Sequence, residues 1–196
     1  SSVRLSEMEG QKPDGASHYF LSYFLPETTI RIHGFNRLVK DLNGMSEAQF
    51  LKKLDTNFFV REIEKELHKP ESMHEMSMYM NGKWYALFYK PGKFNPEDAV
   101  ESLDCQILST LLLDPILGIT DLKTDKRIDF MPGNGGPETL KKAVDSGEYK
   151  VAFGLYPVTV EQLKRVSDEG KIMPPKSTYI EPKLRSGLTI YNLNDW

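Results

Sequence analysis

One short stretch concentrates groups that could do chemistry. Residues 171 to 188, KIMPPKSTYIEPKLRSGL, set Lys171, Lys176, Lys183 and Arg185 among three prolines, with Ser177, Thr178 and Ser186 between them. Prolines 174, 175 and 182 hold the backbone extended, so the side chains beside them lose less freedom when a ligand orders them. Lys176, Ser177 and Thr178 offer one ammonium and two hydroxyls in succession. Lys183, Arg185 and Ser186 offer a second set beside Gly187, where a backbone can approach a ligand closely. This composition suits a phosphate or a carboxylate and makes the stretch the leading candidate for an anion site; the competing reading is a proline-stiffened surface loop with solvated cations.

Two further segments compete with it. RIHGFNRLVKDLNG places Asn36, Arg37, Lys40 and Asp41 just after a strand pattern. Asn36 and Arg37 can grip a carboxylate or phosphate there, Arg37 through two parallel bonds, or Arg37 and Asp41 can pair along a helix. FMPGNGGPETL runs from a strand through glycines into a helix starting at Pro137, so free backbone N–H groups can face an anion. It lacks the G-K-[ST] ending of a P-loop, which favours a flexible turn. His18, His33, His68 and His74 show no HExxH and no companion cysteines, so no metal site is expected. Asp121 and Asp125 could hold Mg²⁺, with an acidic turn as the favoured alternative, and no G-x-S-x-G elbow is present.

These groups need elements to position them, and the chain supplies an ordinary globular composition: 196 residues, 39% hydrophobic and 27% charged. The net charge of −3 argues against nonspecific nucleic-acid binding, which needs excess cations to displace phosphate counterions. Apolar runs such as ILSTLLL are too short to cross a bilayer, and SSVRLSEMEG does not read as a signal peptide. The lone cysteine, Cys105, sits in an apolar pattern and reads as packing, so a cytoplasmic location is expected.

SHYFLSYFLP and TTIRIHGF read as strands, MSEAQFLKKLDTNF as a short helix behind Ser46, and FFVREI as a strand. HEMSMYMNGKWYALFYK reads as a hairpin over residues 74–90, turning at Asn81-Gly82. NPEDAVESLDCQILSTLLLDPILGI predicts one long helix disturbed by Pro115. KRIDFMP (strand), GPETLKKAVDSG (helix), YKVAFGLYPV (strand) and TVEQLKRVSDEG (helix) follow, then STYIEP and SGLTIYNL as strands. The expected fold is α+β: a mixed, largely antiparallel sheet with helices packed against it.

MPPKSTYIEPKLRSGL, LDPILGITDLKTDKRIDF, VDSGEYKVAFGLYPVTVEQL and FNRLVKDLNG together resemble the C-terminal half of the domain-of-unknown-function 1015 family. The resemblance implies that residues 1–16 are an arm or helix continuing a missing N-terminal half, itself ParB/sulfiredoxin-like with an ADGHHR motif, and that 17–196 form a single α+β domain. Family context implies a phosphoryl-handling, serine kinase-like enzyme of serine and phosphoserine metabolism. ATP and Mg²⁺ would be its cofactors, and a small phosphorylated or amino-acid ligand and the missing half its partners. The alternative is a ligand-sensing or scaffolding half of a ParB-like regulator without catalysis.

If Arg185 forks onto a carboxylate or phosphate, Arg185→Lys weakens that ligand by about 1–3 kcal/mol while stability barely moves. Calorimetric titration with phosphoserine checks it; unchanged affinity in both Arg185→Lys and Arg185→Ala makes the residue a solvated surface cation.

Overall fold

A computed structural model of the protein describes residues 19–183, 185 and 187–190. The chain divides into two compact units, Ile32–Ile180 and, separately, residues 1–31 with 181–196. In the smaller unit, Glu27–Thr29 form a 3-10 turn that the Thr29 hydroxyl closes onto the Pro26 carbonyl at 2.8 Å. Residues 19–26 carry no strand, contrary to the alternating pattern of SHYFLSYFLP, and neither do residues 187–190 of SGLTIYNL. Alternation marks which side chains could share a face, but a strand exists only where a neighbour takes its backbone hydrogen bonds. The expected arm at 1–16 lies outside the described residues.

The larger unit is built on a seven-stranded sheet. Its strands are β1 (Arg31–Val39), β2 (Phe58–Ile63), β3 (Glu75–Met80), β4 (Lys83–Tyr89), β5 (Ile128–Pro132), β6 (Val151–Leu155) and β7 (Thr178–Glu181). Their order is β2-β4-β3-β6-β1-β5, with β7 also paired to β1. The β1–β5, β1–β6, β2–β4, β3–β4 and β3–β6 pairs all run antiparallel. The expected hairpin is β3–β4, and Asn81 and Gly82 both adopt positive φ, 49° and 79°, as a two-residue turn of matching twist requires.

Four α-helices appear among the described residues: α1 (Glu47–Leu54), α2 (Asp104–Leu108), α3 (Gly136–Asp145) and α4 (Val160–Asp168). Ser46 and Thr159 begin α1 and α4 with reciprocal caps, each hydroxyl accepting from the backbone of the glutamine three residues on. The single long helix expected from about Asn95-Pro96 to Gly118 is broken. The Asp98 carboxylate accepts from Val100 and Glu101 N–H, holding a turn, so helix begins only at Asp104. It then widens into a π-turn over Ser109–Leu113 just before Pro115, which has no N–H to continue the ladder.

Strand alternation gives the sheet two apolar faces. Leu38, Tyr79, Trp84 and Ala152 pack with Leu140 and Val144 of α3. Val39, Met76, Met78, Leu87 and Phe153 belong to the larger core with Phe50 and Leu54 of α1 and Leu103 to Leu117 around α2. Full burial of each large side chain stabilises by about 1.5–3 kcal/mol. The strands meet most tightly where glycines remove Cβ atoms. A Cβ on Gly34 would collide with the Leu155 carbonyl oxygen, and one on Gly133 would lie 2.7 Å from the Gly34 carbonyl oxygen. Gly34→Ala is expected to destabilise by about 1–3 kcal/mol, since the obstacle is backbone. Urea unfolding checks this; an unchanged midpoint would mean that β1 and β6 can separate at no cost.

Candidate functional site

The β1–β6 pairing has its last Cα partners at Arg37 and Phe153, and beyond them the regular ladder stops while the backbones stay in contact, Gly34 lying against the Leu155 carbonyl. Asn36 covers the gap: its Oδ1 accepts the Leu155 N–H at 3.1 Å, a side chain standing where the ladder lacks a carbonyl. Over this opening, on the α3 face, lies a cavity of about 290 Å³ lined by His33, Gly34, Asn36, the 68–70 segment, Ser77, Gly154 and the start of α3. Its volume is at the small end for ligand sites.

The rim at α3 is GPETL behind a 3-10 turn of glycines, Gly133–Gly135. No side chain caps this ten-residue helix, and Gly136 holds φ 71°, a backbone that favours glycine. Of the donors in its first turn, the Gly136 N–H already goes to the Gly133 carbonyl, Pro137 has none, and the Thr139 N–H opens the helical ladder onto Gly135, so the Glu138 N–H is the one left without an i→i−4 acceptor at the positive end of the helix dipole. Glu138, the acid of that turn, does not line the cavity, although its Oε2 folds back against Gly136 at the helix start. In the opposite wall, Ser77 is 1% exposed and its Oγ has no hydrogen-bond partner among the described residues. It lies opposite Gly154, whose missing side chain leaves the hydroxyl its space.

His68 and Glu75, both buried, form the third feature. Nε2 and Oε1 are 3.1 Å apart, close enough for an ion pair but outside hydrogen-bond alignment, while the Glu75 Oε2 accepts the Glu71 N–H at 2.9 Å. An imidazole held beside a fixed carboxylate can take or give a proton at a ligand. Lys69 adds a cation to the same wall.

The residues expected from sequence are distributed differently. Asn36 lines the cavity, yet Arg37, its neighbour on β1, faces the other side of the sheet, so the two do not form one grip. Nor do Arg37 and Asp41 pair along a helix, because β1 continues to Val39. Lys176 takes a left-handed backbone, φ 52°, and holds its Nζ 5.5 Å from the Phe35 ring centre; Ser177 is buried, and Thr178 opens β7. Lys183 and Arg185 belong to the smaller unit and are exposed, and Ser186 lies outside the described residues.

Asp121 accepts the Lys123 N–H and the Thr124 hydroxyl, and Asp125 binds Arg127, so both carboxylates are engaged in their own turns, a poor fit for Mg²⁺. No group of three metal-ligating side chains gathers among the described residues. Cys105 packs in the core, where burial pushes its thiol up to about 11, out of nucleophilic range at neutral pH. Sequence reasoning passed over Ser77 and weighed His68 only as a metal ligand. The available signal was a lone serine in EMSMYM, a strand buried at every position.

A model of the family described as protein of unknown function (DUF1015) matches residues 1–106. No curated protein matches the chain. Among solved structures, a conserved hypothetical protein from Pyrococcus furiosus aligns at TM-score 0.50 and 19% identity, covering 83% of this chain and 60% of its own. A free serine kinase in complex with AMP aligns at 0.49 and 16%, and a mutant free serine kinase in complex with ADP at 0.48 and 17%; each pairing covers 83% of this chain and 57% of the other. This chain therefore spans somewhat under two thirds of the length of these structures, and at 19% identity the Pyrococcus furiosus alignment speaks to the fold alone.

Arg37 carries an unusual cost. It is fully buried, NH1 donates to the Phe35 carbonyl at 2.5 Å, the guanidinium lies 4.7 Å from the Phe130 ring centre, and Nε and NH2 have no partner among the described residues. Burial lowers its pKa to about 10, which leaves it charged at neutral pH. A desolvated charge satisfied at one nitrogen is costlier than an apolar side chain of similar length, so Arg37→Met should stabilise by about 1–4 kcal/mol. Thermal and urea unfolding measure this; a clear loss of stability would show that the Phe35 and Phe130 contacts outweigh desolvation.

Proposed function

The chain belongs to the DUF1015 family of proteins of unknown function, and from that premise we propose that it is the ligand-binding part of a phosphoryl-handling enzyme, serine kinase-like, whose cavity at the start of α3 holds a small phosphorylated ligand such as phosphoserine. One observation carries the reading: a glycine-led helix start and an unpartnered, buried serine hydroxyl border the same small cavity. Each alone has ordinary explanations. Together they supply donors from two sides to a group with three acceptor oxygens, and a buried hydroxyl left without a partner costs about 1–3 kcal/mol unless a ligand or water takes it up.

In this reading the Glu138 N–H and the Ser77 hydroxyl donate to the phosphoryl oxygens, and the helix dipole contributes about 0.3–1 kcal/mol toward the anion. Lys69 offsets remaining charge at the mouth. The glycines at 34, 133, 136 and 154 let backbone, not side chains, form the wall. His68, steadied by Glu75, exchanges a proton with the ligand's amino or hydroxyl group. Transfer between serine and a nucleotide is the reaction class this implies, with the chemistry of the whole enzyme shared with segments beyond this chain.

Calorimetric titration with phosphoserine and serine, on wild type and Ser77→Ala, tests the reading. Phosphoserine should bind in preference to serine, and Ser77→Ala should weaken it by about 10-fold, the worth of a hydrogen bond to a charged group. Removing an unpartnered hydroxyl should leave stability equal or higher. Equal affinity in wild type and variant removes the phosphoryl group from this cavity.

A further inference from the structure

A second cavity, about 780 Å³, runs along the β5 end of the strand order and shares no lining residue with the first. Its charged lining is Lys40, Lys123, Lys126 and Lys176 with Asp125 and Asp129. The acids are already engaged: Asp125 binds the Arg127 guanidinium at 2.8 Å, and Asp129 takes Lys40 at 3.1 Å and the Tyr149 hydroxyl at 3.0 Å. Lys123, Lys126 and Lys176 form no ion pair with the described residues, and although Lys123 lies near the Asp121 carboxylate, three exposed lysines border one cavity in a protein of net charge −3.

Two further observations show that this charge is more than a solvated surface. Phe130 lines the cavity, and the buried Arg37 guanidinium sits 4.7 Å from its ring centre, so a fourth cation lies behind the wall with two nitrogens unpartnered among the described residues. A charge held in a dry interior projects its field with little screening. Lys176 also occupies a left-handed position, φ 52°, where glycine would be unstrained. The chain keeps a lysine where its backbone disfavours one, and the side chain is what that choice retains.

We propose that this cavity binds the di- or triphosphate group of a polyanionic ligand, free or borne on a nucleoside, as a site separate from the single-phosphoryl cavity at α3. Three ammonium groups suit a charge spread over several phosphates, and the volume admits more than a single phosphoryl group. Lys176 is the discriminating residue, since Lys176→Gly relieves the backbone and removes the charge in one step.

The test is calorimetric titration of the 196-residue chain with tripolyphosphate, ATP and AMP, on wild type, Lys176→Gly, Lys123→Ala/Lys126→Ala and Ser77→Ala. Tripolyphosphate should bind, weakening steeply with salt. Lys176→Gly should lower its affinity about 10-fold, as a lost charged hydrogen bond does, while the melting temperature holds or rises; the double variant should do the same to affinity, and Ser77→Ala should leave it unchanged. ATP binding as tripolyphosphate does, with AMP much weaker, assigns the site to nucleotide-borne phosphates; tripolyphosphate alone binding assigns it to free polyphosphate. Undiminished tripolyphosphate affinity in Lys176→Gly and in the double variant, or loss of that affinity in Ser77→Ala, overturns the proposal. Because phosphoserine reads the first cavity, failure here and failure there are separate results.

Discussion

The hydrogen bond from the Leu155 N–H to the Asn36 Oδ1, 3.1 Å long and buried, is the interaction on which the site depends. Antiparallel strands ordinarily exchange backbone bonds to their ends; here β1 and β6 stop doing so at Arg37 and Phe153, and a side chain takes over the donor. A buried N–H left open would cost more than the bond contributes, so Asn36 allows the backbone ladder to stop without that penalty. The cavity forms around this break in the ladder. Gly34 can lie against the Leu155 carbonyl, Gly133 can lie against Gly34, and α3 begins directly over the gap.

The two faces of the sheet hold opposite solutions to burying polarity. On the α3 face, polar groups surround a space that a ligand can fill: Ser77, Asn36 and the His68–Glu75 pair all border it. On the other face, Arg37 is enclosed by Phe130, Phe35 and the core around Cys105, and one backbone carbonyl is its acceptor. Cys105 and Arg37 alter each other only modestly, since burial dominates both, raising the thiol and lowering the guanidinium. The stability withheld by Arg37 is recovered by the large cores on either side of the sheet.

Local sequence marked most elements. Ser46 and Thr159 began α1 and α4, Asn81-Gly82 made the hairpin turn, and FFVREI coincided with β2. The long helix failed because Asp98 caps a turn that apolar periodicity does not register. The site was less legible for a related reason. Ser77, Asn36 and Gly136 lie on three elements far apart in sequence, and nothing in a single strand reveals which side chain will lack a partner. FMPGNGGPETL was recognisable as a strand, glycines and a helix start, but its meaning depended on what stood opposite. The cationic stretch 171–188 was conspicuous because its groups are adjacent in sequence, yet Lys176 lines a separate cavity and Arg185 belongs to the smaller unit.

The central claim is that the cavity where the β1–β6 ladder ends holds a phosphoryl group at the start of α3, and a crystal structure of the chain grown with phosphoserine tests it most directly. The account predicts phosphate density in the cavity, its oxygens within about 3 Å of the Glu138 N–H and of the Ser77 Oγ, the ordinary reach of such bonds. A well-ordered phosphoserine bound elsewhere on the chain, with water alone between Ser77 and α3, would contradict it.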